Sequence, residues 1–566
     1  MVPRIGLLGA LLFAPALLAA PPERSRFPGL LPPPGPPRLD QPCPRLGGRH
    51  YAVIVAGDEP AAVMTLLELR RQFERVPSLR QARLALVTEA DLSQGIGGTL
   101  VRSGLAYLDR NQVPSDMGDQ LPLLAPSSDL YARFLRLVGV NHIAADPQKA
   151  SRAFRHALKR SRIAVFSRAD LRGVRLHGRQ ICTLDSRRHG SLGADLFIDA
   201  SLGGRLAELA RVPRLSGLGV PRFAGNSLAL GWIFELRGLT YGDLLRMESR
   251  FTRRLLDPGD AEAQQWLQVW PKYRNDRARL RADLLTGPST PRLAYSSTSD
   301  SIDQRSPAVA IAFHGQARLL PGLQQSAVLL DLANIAVLRD RLSVNALLFR
   351  NDSRQNRAVL ASGNRPLPWM RPVADAVTLF FRRQGVRQVI WISELYVRSA
   401  DQIAHPLDPL SAERMAAGGV SRQEALGTFT YALDFRGGLA GLLPQAKPTF
   451  NFGYRHTLPR EISNLAVLGP AAGFAGLGEG AGRIIELNIS VGQGLAIAST
   501  LALKRRIPLA AVDPQQVAQL MPEGYLPYGR PSTATALQLW LRHLDYQINR
   551  GIPGVDHLSL PWHHGP

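Results

Sequence analysis

The sequence predicts an α/β fold built on a parallel sheet. Residues 51–56 form an uninterrupted apolar run, which is typical of a strand buried on both faces. Residues 63–73 carry apolar side chains at helical spacing, and a second apolar run follows at 83–88. A strand, a helix and a strand in this order indicate a β-α-β unit. Alternating runs at 163–166 and 174–184 predict a small antiparallel meander beside it.

The composition is that of an ordinary globular protein. The chain has 566 residues, of which 45% are hydrophobic and 20% charged, which excludes a disordered or coiled-coil chain. Beyond the N-terminus, no apolar stretch is long enough to predict a membrane span. The net charge of +23 comes from arginine spread along the whole chain. We therefore expect no specific nucleic-acid partner and at most weak association with anionic surfaces.

The N-terminus carries the pattern of an export signal. Arg4 precedes an apolar stretch that ends in small residues, which predicts a secretory signal peptide over residues 1–20 and hence a periplasmic, lumenal or extracellular protein. An uncleaved N-terminal membrane anchor is the alternative. Residues 21–48 are rich in proline and are expected to form a linker. Cys43 and Cys182 are interpreted as two unrelated thiols, with a disulfide as the alternative in an oxidising compartment.

The turn after the first strand occupies the place where a dinucleotide-binding fold holds a pyrophosphate. That fold uses glycines in the pattern G-x-G-x-x-G, so that backbone N–H groups can reach the phosphates. The three positions hold Gly57, Glu59 and Ala62 in this chain. The carboxylates of Asp58 and Glu59 would repel a pyrophosphate, so this turn alone is weak evidence for a nucleotide.

Several segments, far apart in the chain, form an ordered set that is more specific than any one of them. In these segments the chain resembles the FAD-dependent oxidoreductases with a glutathione-reductase-type FAD-binding domain, in the group whose first motif reads roughly G-G-T-P-A-G. The segments are Gly57-Asp-Glu-Pro-Ala-Ala62, Gly97-Gly-Thr-Leu100 with 103–111, Leu196-Phe-Ile-Asp-Ala-Ser201, Asn464-Leu-Ala-Val-Leu-Gly469, Gly480-Ala-Gly-Arg483 and Gly492-Gln-Gly494.

The resemblance implies a domain organisation. A Rossmann-like FAD/NAD(P)-binding domain, with a parallel sheet and an antiparallel meander, would be discontinuous and cover residues 49–213 and 450–520. An α+β substrate domain, or cap, would be inserted at 214–449. Residues 521–566 would form a C-terminal extension.

The resemblance also implies FAD as the cofactor and assigns residues to it. Residues 490–494 would begin a helix that points at the flavin, where the positive end of the helix dipole would favour a reduced, anionic flavin. Thr88 and Glu89 stand where an acid would hold the ribose. The residues that would bind the cofactor are Gly57, Pro60, Ala61, Ala62, Thr88, Glu89, Gly97, Gly98, Gly469, Gly492, Gln493 and Gly494.

The implied activity is that of an exported oxidoreductase that transfers a hydride equivalent from a small organic substrate to N5 of the flavin. Arg483 would place a positive charge beside the flavin, and His456 is the candidate acid or base. The alternative is a cofactor-free pseudoenzyme or binding protein on the same scaffold, which Asp58 and Glu59 favour.

No metal site is predicted. The C-terminal histidines His557, His563 and His564 lack a carboxylate or sulfur partner at the spacing of a metal site. The substrate, the electron acceptor and the oligomeric state do not follow from the sequence.

Overall fold

The computed structural model describes part of the chain in detail. The predicted signal peptide, most of the predicted linker, and most of the C-terminal extension, including the three C-terminal histidines, lie outside the described residues. Those residues belong to one unit that begins at Pro42. They are 43, 47–111, 126–140, 143–218, 225–291, 302–304, 306–323, 326–332, 334–434 and 448–522.

The strands of the described chain belong to several sheets. In chain order they are β1 (His50–Ala56), β2 (Leu84–Val87), β3 (Ala164–Phe166), β4 (Leu171–His177), β5 (Gln180–Ser186), β6 (Gly190–Asp199), β7 (Arg214–Leu215), β8 (Leu230–Gly231), β9 (Phe234–Arg237), β10 (Leu285–Thr286), β11 (Thr290–Pro291), β12 (Ile302–Gln304), β13 (Val328–Leu330), β14 (Ile335–Leu338), β15 (Arg341–Val344), β16 (Leu347–Phe349), β17 (Gln388–Trp391), β18 (Gln402–Ile403), β19 (Gly427–Thr430), β20 (Thr449–Phe452) and β21 (Leu465–Val467).

The helices range from single turns to one long helix near the end of the described chain. In chain order they are α1 (Pro60–Glu74), α2 (Gly98–Val101), α3 (Asp129–Val138), α4 (Pro147–Arg160), α5 (Arg205–Leu209), α6 (Tyr241–Leu256), α7 (Ala261–Trp266), α8 (Arg277–Leu284), α9 (Pro307–Ala317), α10 (Ser353–Ala361), α11 (Arg371–Arg383), α12 (Ala412–Ala416), α13 (Glu479–Gly482), α14 (Ile485–Arg505) and α15 (Pro514–Gln519).

The main sheet confirms the predicted α/β class. Its strand order is β3-β2-β1-β6-β5-β4, and β21 also pairs with β6. The pairs β1–β2, β1–β6, β2–β3 and β6–β21 are parallel, whereas β4, β5 and β6 form an antiparallel meander. From β1 the chain continues to β2 on one side, and β6 lies on the other side. The carboxyl end of β1 is therefore the switch point at which such sheets bind ligands.

One strand assignment from the sequence is wrong. Residues 163–166 were expected in the meander, but β3 pairs in parallel with β2 at the opposite edge of the sheet. Its alternating pattern reflects an edge strand with one exposed face, since Val165 is 41% exposed. Alternation of this kind does not encode the direction of the partner strand.

Helix α1 lies between β1 and β2 in the chain and packs against α14. Proline at its first position suits a helix start, where the missing N–H has no partner to lose. Leu66, Leu69 and Phe73 are buried at helical spacing, as the sequence predicts. The two helices approach closely at Gly492, where a Cβ atom would lie 2.2 Å from Oγ1 of Thr65.

A second hydrophobic core is built by residues between 229 and 397. It lies around an antiparallel sheet with the order β12-β14-β15-β9-β17. Helices α6, α9 and α11 supply aromatic side chains such as Phe251, Phe313 and Phe380. A segment with its own α+β core lies inside the predicted insertion, whose boundaries at 214–449 stay a prediction.

The described helices were compared with the requirements of a membrane span. Among them, no single helix is both long and apolar enough to cross a membrane. Residues Gly476–Gly482 and Ile485–Arg505 pass that test only when taken together, and they are bent by 92° relative to each other.

The interpretation of Cys43 and Cys182 as unrelated thiols is wrong, because the two residues form a disulfide. Their Cα atoms lie 5.2 Å apart and 139 positions apart in the sequence. Cys182 lies in β5, which is separated from β1 in the main sheet only by β6. This arrangement brings Cys182 near the segment that precedes β1 and contains Cys43. Such a long-range neighbourhood leaves no local signal at either cysteine.

We expect the double substitution Cys43→Ser/Cys182→Ser to lower the free energy of unfolding by about 2–5 kcal/mol, because the crosslink closes a long loop and restricts the unfolded chain. Urea unfolding with and without reductant measures the effect. The reductant should shift the wild-type midpoint down to that of the double variant and leave the variant unchanged. Equal midpoints for both proteins without reductant would show that the bridge does not form.

Candidate ligand-binding site

A cavity of about 1470 Å³ lies at the carboxyl ends of β1 and β2. The turns after β1, β2 and β6 form one side, and residues 360–366 and the start of α11 form the other. Sites for small organic molecules enclose about 300–1000 Å³, so this cavity has room for such a ligand. Its place at the switch point of the sheet makes it the candidate site.

Gly57 ends β1 in a conformation that other residues rarely adopt, with a φ of +98°. A Cβ atom there would lie 2.5 Å from both the carbonyl oxygen of Ala200 and the amide nitrogen of Ser201. The glycine is therefore required by the close approach of two backbone segments within the protein. This requirement holds whether or not a ligand is bound.

Asp58 follows, and its carboxylate is fully engaged by the protein. Oδ2 accepts hydrogen bonds from the amides of Gly97 and Gly98, at 3.1 and 3.2 Å. The guanidinium of Arg102 donates to both oxygens, at 3.0 Å to Oδ1. The hydroxyl of Thr88 donates to Oδ1 at 3.3 Å. Only 4% of Asp58 is exposed, so these donors replace its water shell.

Glu59 lies at the junction of this cavity and a smaller one. Its two oxygens accept from the amide of Thr99, at 3.1 and 3.0 Å. Burial, and then the neighbouring charge of Asp58, raise the pKa of the Glu59 carboxyl to about 7, although the Thr99 amide and Arg102 act in the opposite direction. The Glu59 carboxyl is therefore protonated below about pH 7 and ionised above it.

Arg102 holds the acidic cluster together. It is 8% exposed, and its Nε donates to Glu394 at 2.8 Å while the rest of its guanidinium binds Asp58. Nη1 also donates to the carbonyl of Gly95 at 3.1 Å. The Arg102 guanidinium thus binds both Asp58, which follows β1, and Glu394, which lies near the second core. The sequence analysis singled out neither Arg102 nor Glu394.

The position of the expected ribose acid is also engaged within the protein. Glu89 accepts from the amide of Leu171 at 3.0 Å and pairs with Arg205 at 3.3 Å. Thr88, besides binding Asp58, accepts from the amide of Ala90 at 3.2 Å. Both residues line the cavity, but their polar atoms have partners in the chain, and their assignment to a ribose stays a prediction.

The smaller cavity has a volume of only about 40 Å³. Pro60, Ala61 and Gly469, three of the predicted cofactor residues, line it together with Arg483. This space exceeds the roughly 10–15 Å³ that one water molecule needs and is far below the roughly 300–1000 Å³ of a ligand site. The place that the resemblance assigns to the flavin is therefore too small for a flavin in this structure.

Arg483 is buried, and acids of the protein surround its charge. Its guanidinium binds Asp434 at 2.7 Å and the hydroxyl of Tyr396 at 3.1 Å, and it lies 3.8 Å from Asp109. Their proximity raises the pKa of Arg483, even though burial acts in the opposite direction. The positive charge expected beside a flavin is thus largely compensated within the protein.

The expected helix start at 490–494 is wrong, because α14 begins at Ile485. The helix continues N-terminally through residues 485–489, where apolar residues alternate with Glu486 and Asn488 and no proline or glycine stops it. Gly492 faces α1, and a Cβ atom on Gly494 would lie 2.2 Å from Leu426. Oε1 of Gln493 accepts from the amide of Leu130 at 2.9 Å. These three residues pack the interior and line neither cavity.

His456 also lies away from both cavities. It is 2% exposed, its ring packs 4.8 Å from that of Phe474, and its Nε2 has no hydrogen-bond partner. Burial and the charge of Arg414 lower the pKa of His456 to about 3. Ala62 lies inside α1, one residue beyond the small cavity's lining. The structure does not bring these two residues to the larger cavity.

The residues at the first turn do not fit the pyrophosphate of a dinucleotide. The amides of Gly97, Gly98 and Thr99, which the resemblance assigns to the cofactor region, already bind the carboxylates of Asp58 and Glu59. A phosphate placed there would meet two acids in a poorly solvated site. The sequence identified Asp58 and Glu59 as acids at this turn. It did not indicate that Arg102, 44 positions away, forms an ion pair with Asp58.

We expect Arg483→Met to lower the free energy of unfolding by about 3–5 kcal/mol, because it removes the buried guanidinium that binds the carboxylate of Asp434. Chemical denaturation measures this change. As a control, Arg172→Ala removes an exposed ion pair with Asp170 and should cost less than about 1 kcal/mol. If Arg483→Met lowered the free energy of unfolding as little as Arg172→Ala does, the buried ion pair would not contribute to stability.

We expect Glu59→Gln to change how stability depends on pH. The raised pKa means that the folded protein keeps a proton that the unfolded chain loses above about 4.5. The contribution of Glu59 is therefore present below pH 4.5 and is lost as the pH rises towards 7, by about 1–3 kcal/mol.

The check is the free energy of unfolding between pH 4 and pH 8. Relative to Glu59→Gln, the wild type should lose stability as the pH rises. Glu248, whose pKa burial also raises to about 7, lies in the second core. Glu248→Gln should remove a separate part of the slope, and the two effects should add. Parallel curves for wild type and Glu59→Gln would contradict the assignment.

Comparisons with known proteins find only weak structural similarity, with TM-scores of 0.17–0.34 for the structures named below. No family model and no curated protein matches the chain. Among solved structures it is similar to PqsL of P. aeruginosa in complex with 2-aminobenzoylacetate (14% identity, 88% of this chain and 99% of that chain, TM-score 0.34). It is also similar to a variant of the halogenase PltM in complex with FAD (11%, 81% and 70%, TM-score 0.32).

A third similar structure is the thioredoxin reductase of T. acidophilum (12% identity, 27% of this chain, TM-score 0.17). The chain spans only 36% of the length of that protein. Likeness at this level does not establish a shared activity. The fold of the chain is therefore described from its own strand order and from the cavity at the switch point.

Proposed function

We propose that the chain is an exported binding protein that holds a small organic molecule in the cavity at the carboxyl edge of its main sheet, without a flavin. The observation that carries the proposal is the occupation of the first turn by Asp58 and Glu59. Their carboxyl groups accept from the amides of Gly97 and Thr99, in a segment that the resemblance assigns to the cofactor. Acidic side chains at this turn disfavour the pyrophosphate on which such a cofactor depends.

The cavity supports the binding role. Trp232 and Trp391, whose ring centroids lie 4.7 Å apart, line it beside arginines and acids. Most of these charges are paired with one another, as in Arg168–Asp91 and Arg357–Asp401. An apolar aromatic wall with compensated charges suits an organic ligand that has both apolar and polar groups.

Export is supported by the covalent structure. The disulfide between Cys43 and Cys182 forms and persists in oxidising compartments. It agrees with the signal peptide expected at residues 1–20. The proposed location is therefore the periplasm, a lumen or the extracellular space.

A second candidate is the FAD-dependent oxidoreductase implied by the sequence resemblance, acting on a small organic substrate. The open volume of about 1470 Å³ beside Gly57 favours it, because this is where a dinucleotide fold holds the adenosine half of its cofactor. The candidate requires Asp58 and Glu59 to leave the amides of residues 97–99. It also requires the 40 Å³ cavity to open widely.

The absorbance spectrum of the full chain, purified after secretion, separates the two candidates. We expect no flavin band near ~450 nm, no flavin in the supernatant after denaturation, and no change in the thermal midpoint when FAD is added. FAD that copurifies with the protein in stoichiometric amount would overturn the binding-protein proposal and establish the oxidoreductase reading.

A further inference from the structure

We infer that the ligand of the larger cavity is a zwitterion with an aromatic body, in the chemical class of the aromatic α-amino acids. The inference rests on the proposed function, because it names the chemistry of the molecule that the cavity of about 1470 Å³ would hold. One corner of the cavity carries it, through an aromatic surface, an excess of acid, and arginines without partners.

One backbone contact brings these three features together. The amide of Leu395 donates to the carbonyl of Asn364 at 2.6 Å. The chain neighbours of these two residues, Glu394 and Arg365, both line the cavity, as does Trp391 at the end of β17. An acid, a guanidinium and an indole therefore lie close together in the cavity wall.

Trp391 and Trp232 give the corner an apolar surface, because both indole N–H groups have partners within the chain. The N–H of Trp391 donates to Oγ1 of Thr378 at 3.0 Å. The N–H of Trp232 donates to the carbonyl of Ile392 at 2.9 Å. With its one polar group engaged, each indole offers only its ring, against which an aromatic group of a ligand would pack.

The acid side of the corner carries more negative charge than the chain neutralises. Asp58 and Glu394 share the single guanidinium of Arg102, and Glu59 lies beside them in the same wall. The side chain of Glu394 is 15% exposed, so its carboxylate can accept from a ligand as well as from Arg102. An ammonium group is the charged donor that suits this side.

The arginine side carries the opposite charge. Arg365 and Arg371 line the cavity and are exposed, and neither guanidinium has an ion pair or a hydrogen bond with another described residue. Asp375, one turn beyond Arg371 in α11, offsets part of this charge. Elsewhere in the cavity an arginine such as Arg168 is paired, with Asp91. A free guanidinium is suited to a carboxylate.

The two charges together determine the class of ligand. A simple organic anion would meet the carboxylates of Asp58 and Glu394, and a simple organic cation would meet Arg365 and Arg371, so each is disfavoured by like charge. An α-amino acid carries its carboxylate and its ammonium on one carbon atom, with the side chain apart from both. An aromatic side chain would then lie against the two indoles.

The test compares four probes on the full chain as purified. They are L-tryptophan, indole-3-propionate, which lacks the ammonium, tryptamine, which lacks the carboxylate, and L-alanine, which lacks the ring. Titration calorimetry should show saturable binding of L-tryptophan that is about tenfold or more tighter than that of the other three. If indole-3-propionate or tryptamine binds as tightly as L-tryptophan, one charged group takes no part and the inference fails.

The substitution Arg365→Gln tests the carboxylate partner. It should weaken the binding of L-tryptophan about tenfold and leave that of tryptamine unchanged, because it removes only the group that meets the carboxylate. Arg383→Gln is the matched control, since Arg383 is also an exposed arginine but does not line the cavity. Equal losses in the two variants would show a general effect of charge and would overturn the inference.

The failure of the inference can be distinguished from that of the proposed function. Absence of binding by all four probes, in a protein that carries no flavin, would overturn the inference and leave the proposed function in place. FAD bound to the purified protein in stoichiometric amount would overturn the proposed function, and the inference with it. Circular dichroism and the thermal midpoint without ligand check that both variants are folded.

Discussion

The ion pair between Asp58 and Arg102 holds together the edge of the sheet on which the cavity depends. Through it, the turn after β1 is fixed to residues 97–99, and through Glu394 the same guanidinium reaches the region of the second core. In a site that water hardly enters, each of these groups is costly unless the others are present. Asp58, Arg102 and Glu394 therefore hold one another in place and fix the part of the cavity wall that they form.

The arrangement gives the first turn an unusual balance of forces. In a dinucleotide fold the backbone amides remain available and the ligand supplies the negative charge. Here Asp58 and Glu59 lie at the turn, and Gly57 is required because the backbone of Ala200 and Ser201 lies too close for any side chain. Two features of one motif thus have separate causes, one electrostatic and one steric.

The sequence was sufficient for the parts of the fold that have local signals. The apolar run of β1, the helical spacing of α1 and the glycine at position 57 predicted the β-α-β unit correctly. It also singled out Asp58 and Glu59 as unsuited to a pyrophosphate. What it could not supply were long-range pairings, since Arg102, Arg483 and Cys182 each meet partners far away in the chain. The spacing of the 490–494 motif predicts a helix start at 490, whereas α14 begins at Ile485, because nothing in residues 485–489 interrupts the helix.

The disulfide between Cys43 and Cys182 also determines how the protein would carry mechanical load. A pull on the N-terminal segment would reach the sheet through β5, because the covalent bond bypasses β1 and the residues up to Cys182. The 139 positions between the cysteines would then stay out of the stretched contour, which shortens the fully extended chain by about 480 Å. The parallel pairs of β1, on which the cavity is built, would be shielded from that force.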